Sequence, residues 1–407
     1  MHDHHTTTDV AARPTDDRSR RRAALPPWPP PLGGAFMRDL LALTADPTQR
    51  ETGPRAHAPM KQKRTFEDLF AGECRRRFGI AVNSGTTAID LAVEGLDLAA
   101  GGVIVAANYG HPSTIQRAAR THRLRLVDVD AETLCLSPNA LAAALAPGDV
   151  RLVLMTHVAG HPGRIDVIAG LCESHGVPLI VDASHAHGAR FSSGQAGKVG
   201  TVACFSLHAT KNLSCGEGGI LCLDDEALYR RIWRLHDIGR EPDAGPYDFT
   251  SAGGNFRLSE MAALEARHRM TYMIAHLEQR NAAARQLTAS LDESSCLLPL
   301  TIADDEQAGW HLFPVWYRPD RCNGLSRKRF LIAMATEGVP CNAGWPKPLS
   351  ELDWVRPLVE SASTPTAARA CAEMVWFDGR LLLAADGVER ILEGLERVAS
   401  SARTVGS

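Results

Sequence analysis

The chain has no apolar run near the roughly 18 residues that a membrane-spanning helix needs, so no membrane partner is expected. It has no excess of positive charge. Its 44 lysines and arginines face 47 aspartates and glutamates, for a formal net charge of −3. That excludes a nucleic-acid binder driven by bulk charge. Among its ten cysteines no two are spaced Cys-x-x-Cys, which removes zinc ribbons and thioredoxin-type motifs. Several cysteines, such as Cys204 and Cys222, sit in apolar runs. They read as small core residues of a reduced, cytoplasmic protein. No internal repeat is visible at solenoid period. What is present is ordinary for a globular protein: 44% apolar and 22% charged residues over 407 positions. At about 150 residues per domain, that length predicts roughly two to three domains.

Large apolar side chains are nearly missing from residues 1–33, which hold six of the 24 prolines, five arginines, four aspartates and three of the 16 histidines. Such a segment cannot bury enough surface to offset its ordering entropy. Residues 1–24 are expected to be a disordered tail, and residues 25–64 an N-terminal arm. Arg20, Arg21 and Arg22 lie beside Asp16 and Asp17 with no apolar region behind them, so no secretory signal is expected. The run Pro26-Pro27-Trp28-Pro29-Pro30-Pro31 predicts extended polyproline-like backbone. A short helix is expected from about Phe36 to Thr44.

From Thr65 onward helix-like and strand-like segments alternate. Short apolar runs at 80–82, 104–105, 124–129, 152–155, 179–181 and 202–206 read as strands; 86–98 and 164–175 read as helices. That order predicts an α/β domain with a largely parallel sheet. A long helical pattern over about 259–290 could link two domains. Beyond Leu297 strands (310–317) mix with helices (326–337, 387–401). The expected division is a large domain at 65–275 and a smaller α+β domain at 276–407.

Three features carry chemistry. Asn83-Ser84-Gly85-Thr86-Thr87 follows a strand and opens a helix. Unpaired amides and a positive dipole there suit a phosphate, though the same residues serve as an ordinary N-cap. Asp182 ends the strand Leu179-Ile180-Val181, where open α/β sheets bind ligands; it is equally a capping candidate. Lys211 lies 29 residues later, just past the next strand and before the turn Gly216-Glu217-Gly218-Gly219. A lone lysine is usually a solvated charge. One that forms a Schiff base must be desolvated so that its amine is neutral. Together the three describe what pyridoxal phosphate requires: a lysine for its aldehyde, a carboxylate for its pyridine nitrogen and a helix N-terminus for its phosphate.

With Asn83–Thr86, Asp182–Gly188, Ser206–Gly219 and Asn255-Phe256-Arg257-Leu258-Ser259-Glu260 in that order, the sequence resembles the DegT/DnrJ/StrS family of aminotransferases. The resemblance runs from about 65 to 400. It implies fold type I, with a mostly parallel sheet of seven strands flanked by helices, and pyridoxal phosphate as cofactor. It implies an amino donor, glutamate or glutamine, and a keto-sugar or keto-cyclitol acceptor, in amino-sugar, aminocyclitol or antibiotic biosynthesis. Val375-Trp376-Phe377 followed by Leu381-Leu382-Leu383 looks more like the cyclitol and aminobenzoate-type branch. Carried over by position, Lys211 would hold the cofactor and Asp182 its pyridine nitrogen. Gly85, Thr86 and Ser206 would bind its phosphate, with Ser84 in the same cofactor-binding set. Asn255 would reach the phosphate in a neighbouring subunit, since family sites form across a homodimer. The ring-stacking aromatic falls on His111, with Tyr109 competing. His185 stands where the family usually has Gln beside the phenolic oxygen; imidazole can still donate a hydrogen bond. Tyr109, Arg257, Trp345 and Lys347 are substrate-side candidates, although Arg240, Arg257 and Lys347 read equally as surface charges or salt bridges. His157 and His161 are spaced as a metal pair would be on a helix, but Gly160 and Pro162 predict a loop, and no metal is expected. Two other functions remain open at this point: another reaction of the same cofactor, such as dehydration or aromatisation, and a non-catalytic partner subunit.

Overall fold

The computed structural model describes residues 25–45, 61–99, 101–192, 194–243, 245, 247–292, 294–360 and 363–405. The expected tail at 1–24 lies outside them. The strands are β1 (Phe78–Val82), β2 (Val103–Ala107), β3 (Arg123–Val127), β4 (Val150–Thr156), β5 (Leu179–Asp182), β6 (Arg190–Phe191), β7 (Gly194–Gln195), β8 (Val202–Ser206), β9 (Gly219–Leu223), β10 (Leu297–Pro299), β11 (Leu312–Tyr317), β12 (Cys341–Asn342), β13 (Val359–Glu360) and β14 (Met374–Asp378). The helices are α1 (Gly34–Ala45), α2 (Lys61–Glu73), α3 (Gly85–Gly95), α4 (Pro138–Leu145), α5 (Ile165–Ser174), α6 (Glu226–His236), α7 (Glu260–Ala289), α8 (Arg327–Thr336), α9 (Pro365–Glu373) and α10 (Gly387–Val405).

One sheet has the order β1-β9-β8-β5-β4-β2-β3-β13, and β9 alone runs against its neighbours. Its central strands are apolar on both faces, as parallel strands covered by helices must be. Alternation sends Val105, Val153, Val181 and Phe205 to one face, against Phe66 and Phe70 of α2, Ile168 of α5 and Met273 of α7. Ile104, Leu152, Ile180 and Cys204 go to the other, against Ile89 of α3 and Ile232 and Trp233 of α6. A second sheet, β10-β11-β14-β12, is antiparallel and shares a core with α8 and α10. β6 and β7 pair separately.

The layered α/β architecture matches the expectation; the strand count does not. The large sheet has eight strands, because β13, from the C-terminal region, adds in parallel to β3. Glu360 is fixed there by Arg123 at 2.7 Å and Arg125 at 2.8 Å. A two-residue strand is too short to show periodicity. α2 starts at Lys61, inside the stretch expected to be arm, and α7 runs unbroken through residue 275 for 30 residues.

Candidate active site

The carboxyl ends of adjacent strands β4, β5 and β8 bring Thr156, Asp182 and Ser206 to one edge of the sheet, with Thr156 and Asp182 in register. α3 begins beside them, after β1. Ser84 caps it, accepting from Thr87 N–H at 3.1 Å, and Ala88 N–H donates to Ser84 O at 3.1 Å. Of the four amides a helix start leaves without an intrahelical partner, those of Gly85 and Thr86 then have none among the described residues. Gly85 lies on β8: a Cβ built there would fall 2.6 Å from Ser206 Cβ. A cavity of ≈ 460 Å³ opens at this edge, within the range for small-molecule sites.

Ser84, Gly85, Thr86, His111, Asp182, His185, Ser206, Lys211 and Trp345 all line the cavity. Asp182 is buried; Thr114 Oγ1 donates to its Oδ2 at 2.7 Å and Ser184 N–H to its Oδ1 at 3.1 Å. Burial lowers the Lys211 amine from 10.5 to about 8, against the opposing pull of Asp182. His185 is buried, and its Nδ1 accepts from Ala159 N–H at 3.2 Å. Burial, with Lys211 and His311 nearby, holds its pKa well below the usual imidazole range. The ring is therefore neutral, with its proton on Nε2. Trp345, from the loop after β12, stacks nearly parallel on it, 17° and 6.3 Å between centroids. His111 is an exposed ring at the mouth, its Nδ1 2.7 Å from Ser113 Oγ, and desolvation lowers its pKa.

Four candidates lie elsewhere. Tyr109 is fully buried and meets Trp345 edge-on at 4.9 Å, so it supports the wall from behind. Arg257 is spent on Asp237, at 2.5 Å, a carboxylate it shares with Arg240 at 2.8 Å. Lys347 is exposed on the loop beyond Trp345, outside the cavity lining. Asn255 is also exposed and outside it, bridged through its backbone to Asp237. The histidine pair is structural. His157 Nδ1 donates to the His161 carbonyl at 3.0 Å, and His161 uses both nitrogens, on Thr301 O at 2.7 Å and Gly163 N–H at 2.9 Å.

Sequence reasoning missed Thr114, which holds Asp182 from 68 residues away, and the cavity-lining residues Thr156, His208, Glu217, Leu312 and Trp376. The Gly-rich turn signalled Glu217; nothing local signalled Thr114.

Residues 56–396 match the DegT/DnrJ/EryC1/StrS aminotransferase family. The chain belongs to that family. DegT/DnrJ/EryC1/StrS aminotransferases are fold type I enzymes dependent on pyridoxal phosphate. One relative, from Streptomyces kanamyceticus, carries the provisional name L-glutamine:3-amino-2,3-dideoxy-scyllo-inosose aminotransferase. It is 29% identical over 375 residues, 85% of this chain and 88% of that one. The crystal structure of a 3-amino-5-hydroxybenzoic acid synthase superposes with a TM-score of 0.81 at 25% identity, covering 94% of this chain and 99% of that one. An aminotransferase from Psychrobacter cryohalolentis shares the fold, with a TM-score of 0.84 at 23% identity over 93% of this chain and 100% of that one. No described helix is long and apolar enough to cross a membrane.

Proposed function

We propose that this aminotransferase holds pyridoxal phosphate in the cavity described. It moves an amino group from glutamate or glutamine to a keto-sugar or keto-cyclitol in amino-sugar or aminocyclitol biosynthesis. The observation that carries the reading is Lys211, whose amine is held at about 8 in one cavity with Asp182 and the free amides of α3. The residues fit the cofactor. The close approach of Gly85 to Ser206 leaves the Gly85 and Thr86 amides and the Ser206 hydroxyl to a phosphate. Asp182, oriented by Thr114 and Ser184, keeps a proton on the pyridine nitrogen. The Nε2–H of His185 would serve the phenolic oxygen, and His111 would face the cofactor ring. When bound, the cofactor supplies an electron sink for charge developing at the donor α-carbon. Lys211, whose amine burial holds at about 8, would act as the base that takes the proton from the donor α-carbon and as the acid that gives it up again. Trp345, Trp376 and Leu312 form an apolar wall for the acceptor ring.

The S. kanamyceticus relative supports a carbocyclic acceptor and glutamine as donor. Asn255, exposed and outside this chain's own cavity, is available to a second copy, in a homodimer with shared sites. Ten free cysteines, nine of them buried, suit the cytoplasm. A screen of keto-sugars and inososes with glutamate and glutamine tests the reading: one donor should be consumed per amine formed. Likeness to the hydroxybenzoate synthase favours one second reading, aromatisation of a related ring, which would release water with no donor consumed. Protein that stays colourless with added cofactor would overturn both.

A further inference from the structure

The proline-rich arm leads to the peptide that carries Lys211. Leu25 packs on the core of the second sheet. The Pro30 carbonyl accepts from the Arg269 guanidinium, which Glu265 holds at 2.8 Å. Between these anchors the Trp28 indole N–H donates to the backbone carbonyl of Lys211 at 3.1 Å. The Trp28 ring lies 5.9 Å from the His276 ring, and the Arg280 guanidinium sits over it, 5.0 Å from its centroid. Arg280 is 3% exposed, and its Nε has no hydrogen-bond partner. Among the described residues no carboxylate pairs with it within 4.0 Å; Asp378 acts on it from further away, and the indole face is an electron-rich surface close against it. A buried arginine is costly unless partnered, and this one is placed where it supports the tryptophan.

Lys211 is held from the other side as well. Its N–H donates to His208 O at 2.8 Å, and Asn212 Nδ2 donates to Gly309 O at 2.5 Å. Gly309 is pressed on His185: a Cβ there would fall 2.3 Å from the His185 carbonyl oxygen. The loop between β8 and β9 carries Lys211 outside any strand, and apart from Trp28 no bond holds the Lys211 carbonyl among the described residues. A long flexible side chain reaches its reacting atoms reproducibly only when its own backbone is fixed.

We infer that Trp28 is a positioning residue for Lys211: the arm, backed by Arg280, fixes the lysine's peptide and thereby the arc its amine sweeps between holding the cofactor and moving the substrate proton. The inference rests on Lys211 being the cofactor lysine. Misplacement of a reacting group by about 1 Å can cost about 100-fold; loss of one of several tethers should cost less.

Trp28→Phe keeps a ring over Arg280 and removes the N–H. In the cofactor-free protein, hydrogen exchange at the amides of residues 208–213 should rise about fivefold, with exchange in β4 and β5 unchanged. In the loaded enzyme kcat should fall about three- to tenfold, with KM for the donor within about twofold. Should Trp28→Phe not fold, β-(3-benzothienyl)alanine at position 28 removes the N–H alone and should give the same pair of changes. Wild-type exchange at 208–213, or raised exchange there with kcat unchanged, would overturn the inference. The exchange readout needs no cofactor, so it is independent of the assignment of Lys211; that assignment fails separately, if Lys211→Ala keeps its activity.

Discussion

At the scale of single residues, the proposed chemistry turns on one amine. Lys211→Ala should reduce transamination to background and remove the visible absorption of lysine-linked cofactor, at roughly 400–430 nm. Full activity in that variant would end the proposal. The lowered amine also has a stability consequence. Its folded-state value is about 8 and its ordinary value 10.5. In cofactor-free protein below pH 8, both folded and unfolded chains carry the proton, and the folded one bears the cost of a desolvated ammonium. Between about 8 and 10.5 only the unfolded chain binds it, so the folded state gains stability with rising pH. Lys211→Met should therefore be the more stable protein at pH 6.5, by at most about 3 kcal/mol, and lose that advantage by pH 10.5. Urea unfolding of both proteins at the two pH values measures this. His185→Gln should keep activity within a few-fold, since an amide also offers an N–H where Nε2–H stands. His185→Phe leaves Ala159 N–H without its acceptor, and should lose about 1–3 kcal/mol of stability together with most of its activity.

At the scale of elements, α3 shows what the sequence discloses and what it withholds. Its start was legible because a Ser cap and a glycine after a strand have local causes. So were β4, β5 and β8, whose apolar runs are long enough to show. That Asp182 and Lys211 would meet was legible because residues at or just beyond the ends of neighbouring strands gather at one edge of a parallel sheet. Thr114 and β13 were not, because their roles arise from contacts made 68 and 235 residues away, on Asp182 and Arg125, nor was the place of Trp376 in the cavity wall beside Trp345. Tyr109 and His111 were separable only by burial, since both stand in one loop and only His111 faces the cavity. Gly85→Ala tests the element directly. Its Cβ would enter the 2.6 Å space before Ser206. Overpacking of this kind costs about 1–3 kcal/mol, and α3 should shift away from β8. Cofactor binding, followed by titration of cofactor-free protein, should weaken at least tenfold.

At the scale of the whole molecule, residues 345–360 and the start of α9 are laid on the large sheet by specific bonds. Asn108 binds Ser350 Oγ at 2.9 Å, Thr364 Oγ1 at 2.7 Å and Ser350 N–H at 2.8 Å. Asp128 caps α9 through the amides of Thr366 and Ala367, at 3.0 and 2.8 Å. The wall that Trp345 contributes is thus set by polar groups behind the sheet edge. Asn108→Ala should raise KM for the keto acceptor several-fold while leaving cofactor absorption unchanged; the reverse pattern would show that the segment serves the cofactor instead.

The same segment decides when the large sheet can be completed. β1 closes one edge of the large sheet near the start of the chain, and β13 covers the other only at residues 359–360. Until those residues leave the ribosome, β3 presents a bare row of amides and carbonyls, the kind of edge on which nascent chains pair with one another. A chain stopped just before Val359 would leave that edge bare and would also lack β14 with its Trp376, so it should be the more prone to aggregate.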